Sequence, residues 1–320
     1  MINKPGFRNK LGSIITFLAL ACFCSMAVGA EDTEDSEKAA EYSKGARQCM
    51  SCHKEGKEPA AHEIFLGKMG ISGASKSPFA EGSHDCETCH GPSASHRKKQ
   101  KDGSRLSPEV AFNETTPSDK ANEVCMSCHS DDLAMHWPGS VHDEEEVACA
   151  DCHVVHAERD PVFDKLAQQE RCFACHQRTR SETFRASSHP LRFGGMTCSD
   201  CHNPHDGNND FLLTQSTTND TCYTCHAEKR GPFLWEHAPV SEDCSLCHNP
   251  HGSNHAALLK QRSPLLCQQC HSPGGHPATA YTSEVAENSF QQRFLLARSC
   301  QNCHAQVHGS NHPSGVTNTR

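Results

Sequence analysis

Apolar residues are scarce in this chain. Only 35% of its 320 residues are hydrophobic, even with cysteine counted among them. A soluble chain of this length normally buries a large apolar core. This one lacks the side chains to build it, so something else must fill the interior. Long apolar runs are missing too: after residue 30 none approaches the ~20 residues that a membrane-spanning helix needs. Positive charge is also in short supply. Lys and Arg number 30 against 39 Asp and Glu, a formal net charge of -9, which argues against nucleic acid as a partner.

The N-terminus reads as a targeting segment. Lys4, Arg8 and Lys10 form a basic region, Leu11 to about Met26 is apolar, and Val28-Gly29-Ala30 offers a cleavage site. This is the pattern of a secretory signal peptide over residues 1–30, followed by a single domain over residues 31–320. Cys22 and Cys24 would leave with the signal.

The chain is rich in cysteine, with 22 residues. The twenty outside the signal all fall in copies of Cys-x-x-Cys-His. The paired cysteines are Cys49 and Cys52, Cys86 and Cys89, Cys125 and Cys128, Cys149 and Cys152, and Cys172 and Cys175. The rest are Cys198 and Cys201, Cys222 and Cys225, Cys244 and Cys247, Cys267 and Cys270, and Cys300 and Cys303. Two such cysteines form thioethers with the haem vinyl groups, and the adjacent histidine reaches the iron. Neither zinc sites nor redox dithiols require a histidine after every second cysteine, and no cysteine is left over for a disulfide. Ten covalently bound haem c groups are therefore expected. Their proximal ligands would be His53, His90, His129, His153, His176, His202, His226, His248, His271 and His304. The macrocycles would supply the missing core. The implied fold is a haem-cored multihaem c-type cytochrome of short α-helices and irregular coil, with little or no β-sheet. Its tandem two-haem repeats would form an elongated wire.

Fourteen further histidines remain. Units of roughly 45 to 50 residues each hold two motifs and two free histidines, a repeat spacing. The repeat marks His142, His156, His189, His205, His237 and His251 as distal iron ligands. The terminal units fit less regularly: the last offers His276 and either His308 or His312, the first His96 and either His62 or His84. The expected distal set is completed by His62, His96, His276 and His308. His136 and His255 break the repeat and read as ordinary polar residues. An iron held by two histidines has no open position and suits outer-sphere electron transfer rather than catalysis. No motif has the lysine that marks the catalytic haem of some multihaem reductases.

Several strings carry a family resemblance over essentially the whole exported chain. They include Ser75-Lys76-Ser77-Pro78, residues 196–205 (MTCSDCHNPH), residues 225–232 (CHAEKRGP), residues 234–240 (LWEHAPV) and residues 306–315 (QVHGSNHPSG). The chain resembles the MtrA/MtoA/PioA/DmsE family of decahaem c-type cytochromes. The resemblance implies a periplasmic protein inserted into an outer-membrane β-barrel porin, since a polar chain crosses a bilayer only inside a sheath. Implied partners are the porin, periplasmic or quinol-linked cytochromes, and an outer-surface multihaem cytochrome. The implied role is electron transfer between periplasmic carriers and extracellular iron or metal oxide. A free periplasmic shuttle, or a donor for extracellular dimethyl sulfoxide respiration, is the alternative.

One departure stands out. Where the family pattern has His-Gly before Ser-Lys-Ser-Pro, this chain has Met69-Gly70, with His62 further upstream. Either His62 or Met69 would then complete the first haem, and a methionine would raise that haem's potential. The acidic run Asp143-Glu144-Glu145-Glu146 and the basic run Arg97-Lys98-Lys99-Gln100-Lys101 read as solvated faces.

Overall fold

The computed structural model describes residues 45–56, 61–131, 135–271, 300–313 and 315. All of these belong to one unit, Glu41–Arg320. The signal-peptide reading and His276 lie outside the described residues. Within them the architecture is short helix and coil. Strands are absent among the described residues, where pairing is limited to isolated bridges such as His202 with Leu213 and His248 with Leu259.

Each Cys-x-x-Cys-His folds as one helical turn, because the histidine N–H donates to the carbonyl of the first cysteine four residues back. That bond is present in all ten copies at 2.9–3.1 Å. The first members of the five motif pairs sit at the end of an α-helix. Cys49 lies in Ala46–Met50, Cys125 in Ser118–Met126, Cys172 in Gln168–Phe173, Cys222 in Thr218–Tyr223 and Cys267 in Ser263–Cys267. The second members open short helices, as in Cys149–Cys152, Cys198–Asp200 and Cys244–Leu246. Acidic side chains cap these starts: Asp151 accepts from Ala148 N–H at 2.8 Å and Asp200 from Thr197 N–H at 2.7 Å. An acid in the first turn also complements the helix dipole.

Buried side-chain amides join the two halves of a pair. Cys149 N–H donates to Asn122 Oδ1 at 2.7 Å while Asn122 Nδ2 donates to Val147 O at 3.1 Å. Asn219 repeats the clamp with Cys244 N–H at 2.7 Å and Val240 O at 3.0 Å. Gln168 joins Ser199 N–H to Val162 O in the pair between them. Both asparagines are buried, so each bond satisfies a group that water does not reach.

The side-chain core is minimal. Among the described residues the buried hydrophobic ones are Ile64, Val110, Ala121, Trp137 and Phe173. Meanwhile Phe163, Phe193 and Phe211 are 70%, 78% and 81% exposed. Phe163 stands 6.0 Å from the His153 ring and Phe112 stands 5.4 Å from the His90 ring. These two phenylalanines thus pack on motif histidines, while Phe65 and Phe79 pair with each other at 4.9 Å.

Candidate haem sites

Among the described residues, eight of the ten motif histidines face a second histidine ring. The facing pairs are His53 with His96, His90 with His156, His153 with His205, and His176 with His142. The others are His202 with His251, His226 with His189, His248 with His308, and His271 with His237. Ring centroids are 5.9–6.4 Å apart throughout. A metal–imidazole bond is about 2 Å. Two such bonds plus the distance from each nitrogen to its ring centre span about that separation.

The rings are also oriented for metal. Nδ1 of His90 lies 2.8 Å from Val110 O, that of His202 2.8 Å from Phe211 O and that of His248 2.7 Å from Ala257 O. On the facing side, Nδ1 of His96, His142, His189 and His237 meets the carbonyls of Leu106, Pro204, Pro250 and Val307. A carbonyl only accepts, so Nδ1 carries the proton and the Nε2 lone pair remains for iron. Burial lowers the proton affinity of His53, His156, His205, His251 and His308, which favours the neutral form that a metal requires.

Local strain aims two of these carbonyls. Phe211 and Leu212 have φ of 57° and 55°, and Ala257 and Leu258 repeat this at 54° and 59°. Two successive left-handed residues, each costing about 1–2 kcal/mol, turn the loop so that its carbonyl points back at the motif histidine. His153 is held differently. Its Nδ1 donates to the largely buried carboxylate of Asp160 at 2.6 Å. The other Asp160 oxygen accepts from Val154 and Val162 N–H.

Successive motifs adjoin in sequence order. The closeness of first cysteines dominates the proton affinities of four pairs: Cys49 with Cys86, Cys125 with Cys149, Cys172 with Cys198, and Cys222 with Cys244. One member of each is pushed up and the other down. Cys300 is raised by burial and then by Cys267. Between pairs, Cys89 is raised by burial and then by Cys128, and Cys152 by burial and then by Cys172. Cys201 is raised by burial, Asp200 and then Cys225, and Cys247 by burial and then by Cys267. These shifts belong to free thiols. In a haem thioether the sulfur has no proton, and what carries over is the proximity of each motif to the next.

Comparison with known proteins assigns these sites. Residues 189–231 and 237–276 match the doubled CXXCH motif family, and residues 86–169 match the cytochrome c-type protein NrfB-like family. The chain is 45% identical over 337 residues to multiheme cytochrome MtrA of Shewanella baltica, covering 98% of each protein. The chain belongs to the MtrA family of multihaem cytochromes. Shorter stretches resemble cytochrome c-type protein NrfB. The identity is 34% over 151 residues with the Escherichia coli protein, covering 45% of this chain and 72% of that one. It is 29% over 144 residues with the Haemophilus influenzae protein, covering 40% and 63%. The paired motifs are sites of covalent haem c, and the protein is an electron carrier rather than an enzyme.

The residues present fit that group. Trp137 Nε1, Arg192 Nε and His62 Nδ1 are buried without a protein partner, and such donors suit the propionates of a haem. Trp137 lies between two ring pairs, 6.3 Å from His142 and 6.1 Å from His205. The motif cysteines would anchor the haems covalently, the paired imidazoles would hold the iron, and bound haem would supply one-electron chemistry. Among the described residues no cluster of three or more His, Cys, Asp or Glu is arranged to hold a bare metal ion.

The expected distal residues fall into three groups. His96, His142, His156, His189, His205, His237, His251 and His308 each face a motif histidine. His276 lies outside the described residues. Among the described residues His62 faces none, and the position opposite His53 is taken by His96, not by His62 or Met69. His308, rather than His312, faces His248. The repeated string His-Gly-Ser-Asn-His at 251–255 and 308–312 aligns His312 with His255. His136 is hydrogen-bonded to Asn208 at 3.2 Å. Sequence reasoning missed Asp160, Trp137 and the amide clamps. Only the asparagine three residues before Cys125 and Cys222 signalled any of these.

Proposed function

We propose that the protein carries ten haems, one at each motif, and conducts electrons along them across the Gram-negative outer membrane inside a β-barrel porin. It would link periplasmic cytochromes or quinol-linked carriers to extracellular iron or metal oxide, with an outer-surface cytochrome as a further partner. Each haem would be tethered by its two cysteines. The facing pairs would serve as axial ligands, with His276 completing His304.

The observation that carries the reading is the unbroken motif-to-motif proximity from Cys49 to Cys300. A carrier joining two separated partners needs a redox group at every step, and each motif here adjoins the next in the series. Six-coordinate irons suit this task because they change oxidation state without gaining or losing a ligand. The outer-membrane setting rests on full-length kinship with MtrA and on the resemblance described above.

Purification in mild detergent from outer membranes tests the proposal. A β-barrel protein co-eluting in fixed one-to-one ratio is the expected result. A monomeric cytochrome found only in the soluble periplasm would overturn the conduit and favour a periplasmic shuttle.

A further inference from the structure

We propose that Met69 is the sixth ligand of the haem at Cys125–His129, making it a His/Met haem among His/His neighbours. This rests on the reading that every motif holds a haem.

The inference comes from a contact that recurs in each repeat. The ring facing His176 is His142, and Ser140, two residues before it, packs against Gly207, two residues after His205. A β-carbon on Gly207 would lie 3.1 Å from Ser140 Cα. The ring facing His226 is His189. Two residues before it, Ser187 forms a bridge with Ser253, two residues after His251, with N–H···O distances of 2.9 and 2.8 Å. The ring facing His271 is His237. Two residues before it, Trp235 bridges Ser310, two residues after His308, at 2.9 Å in both directions. In all three, the contact point lies two residues upstream of the ligand.

The first unit makes the same contact. Its counterpart loop follows His156, which faces His90. Gly67 packs on that loop: a β-carbon there would lie 2.9 Å from Ala157 O and 3.3 Å from Glu158 O, and Glu158 is two residues after His156. Two residues downstream of Gly67 is Met69. The repeat also says which motif this position serves. His142 lies between the third and fourth motifs and faces the fifth, and His189 and His237 follow the same rule. A ligand between the first and second motifs therefore serves the third, whose histidine is His129. Among the described residues no histidine ring faces His129.

Met69 is held in place. Its carbonyl accepts from Ser77 Oγ at 2.8 Å. Gly70 fits so tightly under the preceding turn that any β-carbon would collide with Ile64 O and Phe65 Cα. Lys76, next to Ser77, pairs with Asp131 at 3.8 Å, two residues beyond His129. His62 lacks the Nδ1–carbonyl bond that marks four of the eight facing rings, because its Nδ1 is buried without a partner. Thioether ligation raises a haem's potential, so electrons would collect at this site.

The test is near-infrared magnetic circular dichroism and far-red absorbance of the oxidised holoprotein, with a haem count on each variant. The expected wild-type spectrum contains a sulfur-to-iron charge-transfer band from one haem in ten. That band persists in His62→Asn and disappears in Met69→Leu and Met69→His. Met69→His keeps a sixth ligand and therefore folding. It should lower that haem's reduction equilibrium at least about a hundredfold, roughly 120 mV at about 59 mV per tenfold. A wild type with ten haems but no such band would overturn the proposal. So would a variant pattern in which His62→Asn, not Met69→Leu, turns one haem high-spin. A count below ten in the wild type would instead strike the haem-per-motif reading, and with it this one.

Discussion

The loops after His202 and His248 are near copies, whereas the segment between the first two motifs is not. In both loops the motif histidine bonds a carbonyl nine residues on, and a left-handed residue pair turns the chain. The next asparagine N–H then returns to Leu212 or Leu258. Residues 61–70 are instead two short 3-10 turns. Yet this segment touches the loop after His156 as its counterparts touch theirs. The backbone crossing is thus retained while the residue it delivers changes. A repeat protein can vary the chemistry at one site without rebuilding the scaffold, because each unit depends chiefly on its neighbours.

The comparison can be broken most forcefully in the regular part. Replacing His189 with alanine removes the ring opposite His226. One haem in ten should then become high-spin in electron paramagnetic resonance and bind cyanide, whereas His255→Ala should change neither. A fully low-spin His189→Ala protein would refute the pairing. A smaller effect is expected from Asp160→Asn. A carboxylate makes a charge-assisted bond roughly twice as strong as a neutral one and raises the basicity of a ligand histidine. Removing that charge should ease reduction of the haem at Cys149–His153 by roughly tenfold, about 59 mV, in a potentiometric titration. The other haems should stay in place.

Stability separates the clamps. Asn219→Ala leaves the Cys244 N–H and the Val240 carbonyl short of partners in a buried site. It should cost about 1–3 kcal/mol in thermal or denaturant unfolding. Gln168→Ala, at a more accessible position, should cost less, about 1 kcal/mol. The smallest effect should come from Lys76→Ala. Its pair with Asp131 is exposed on both sides, and such pairs contribute little. An unchanged melting curve is expected.

Much of the fold class was legible because thioether chemistry fixes the spacing of Cys-x-x-Cys-His. The shortage of apolar side chains likewise implied a core made of something else. The helix-and-coil architecture follows from those two facts. The ring pairs were less legible. His142 and His205 stand out in the repeat, but which motif each faces depends on crossings between segments some 60 residues apart, such as His142 Nδ1 with Pro204 O. No local pattern encodes such a crossing. Asp160 was invisible for a related reason: an acid seven residues after a motif histidine is ordinary until the loop turns it back. At the first unit, proximity along the chain pointed His62 or Met69 at the first motif, whereas the repeat geometry directs that segment to the third.

A density map of the haem-loaded protein, sharp enough to show axial ligands, tests the central claim most directly. The account predicts one iron between the rings of each of the eight facing pairs, such as His202 and His251, and haems ordered as their motifs are ordered in the chain. A motif histidine sharing its iron with a different partner, for example His202 with His189, would contradict it.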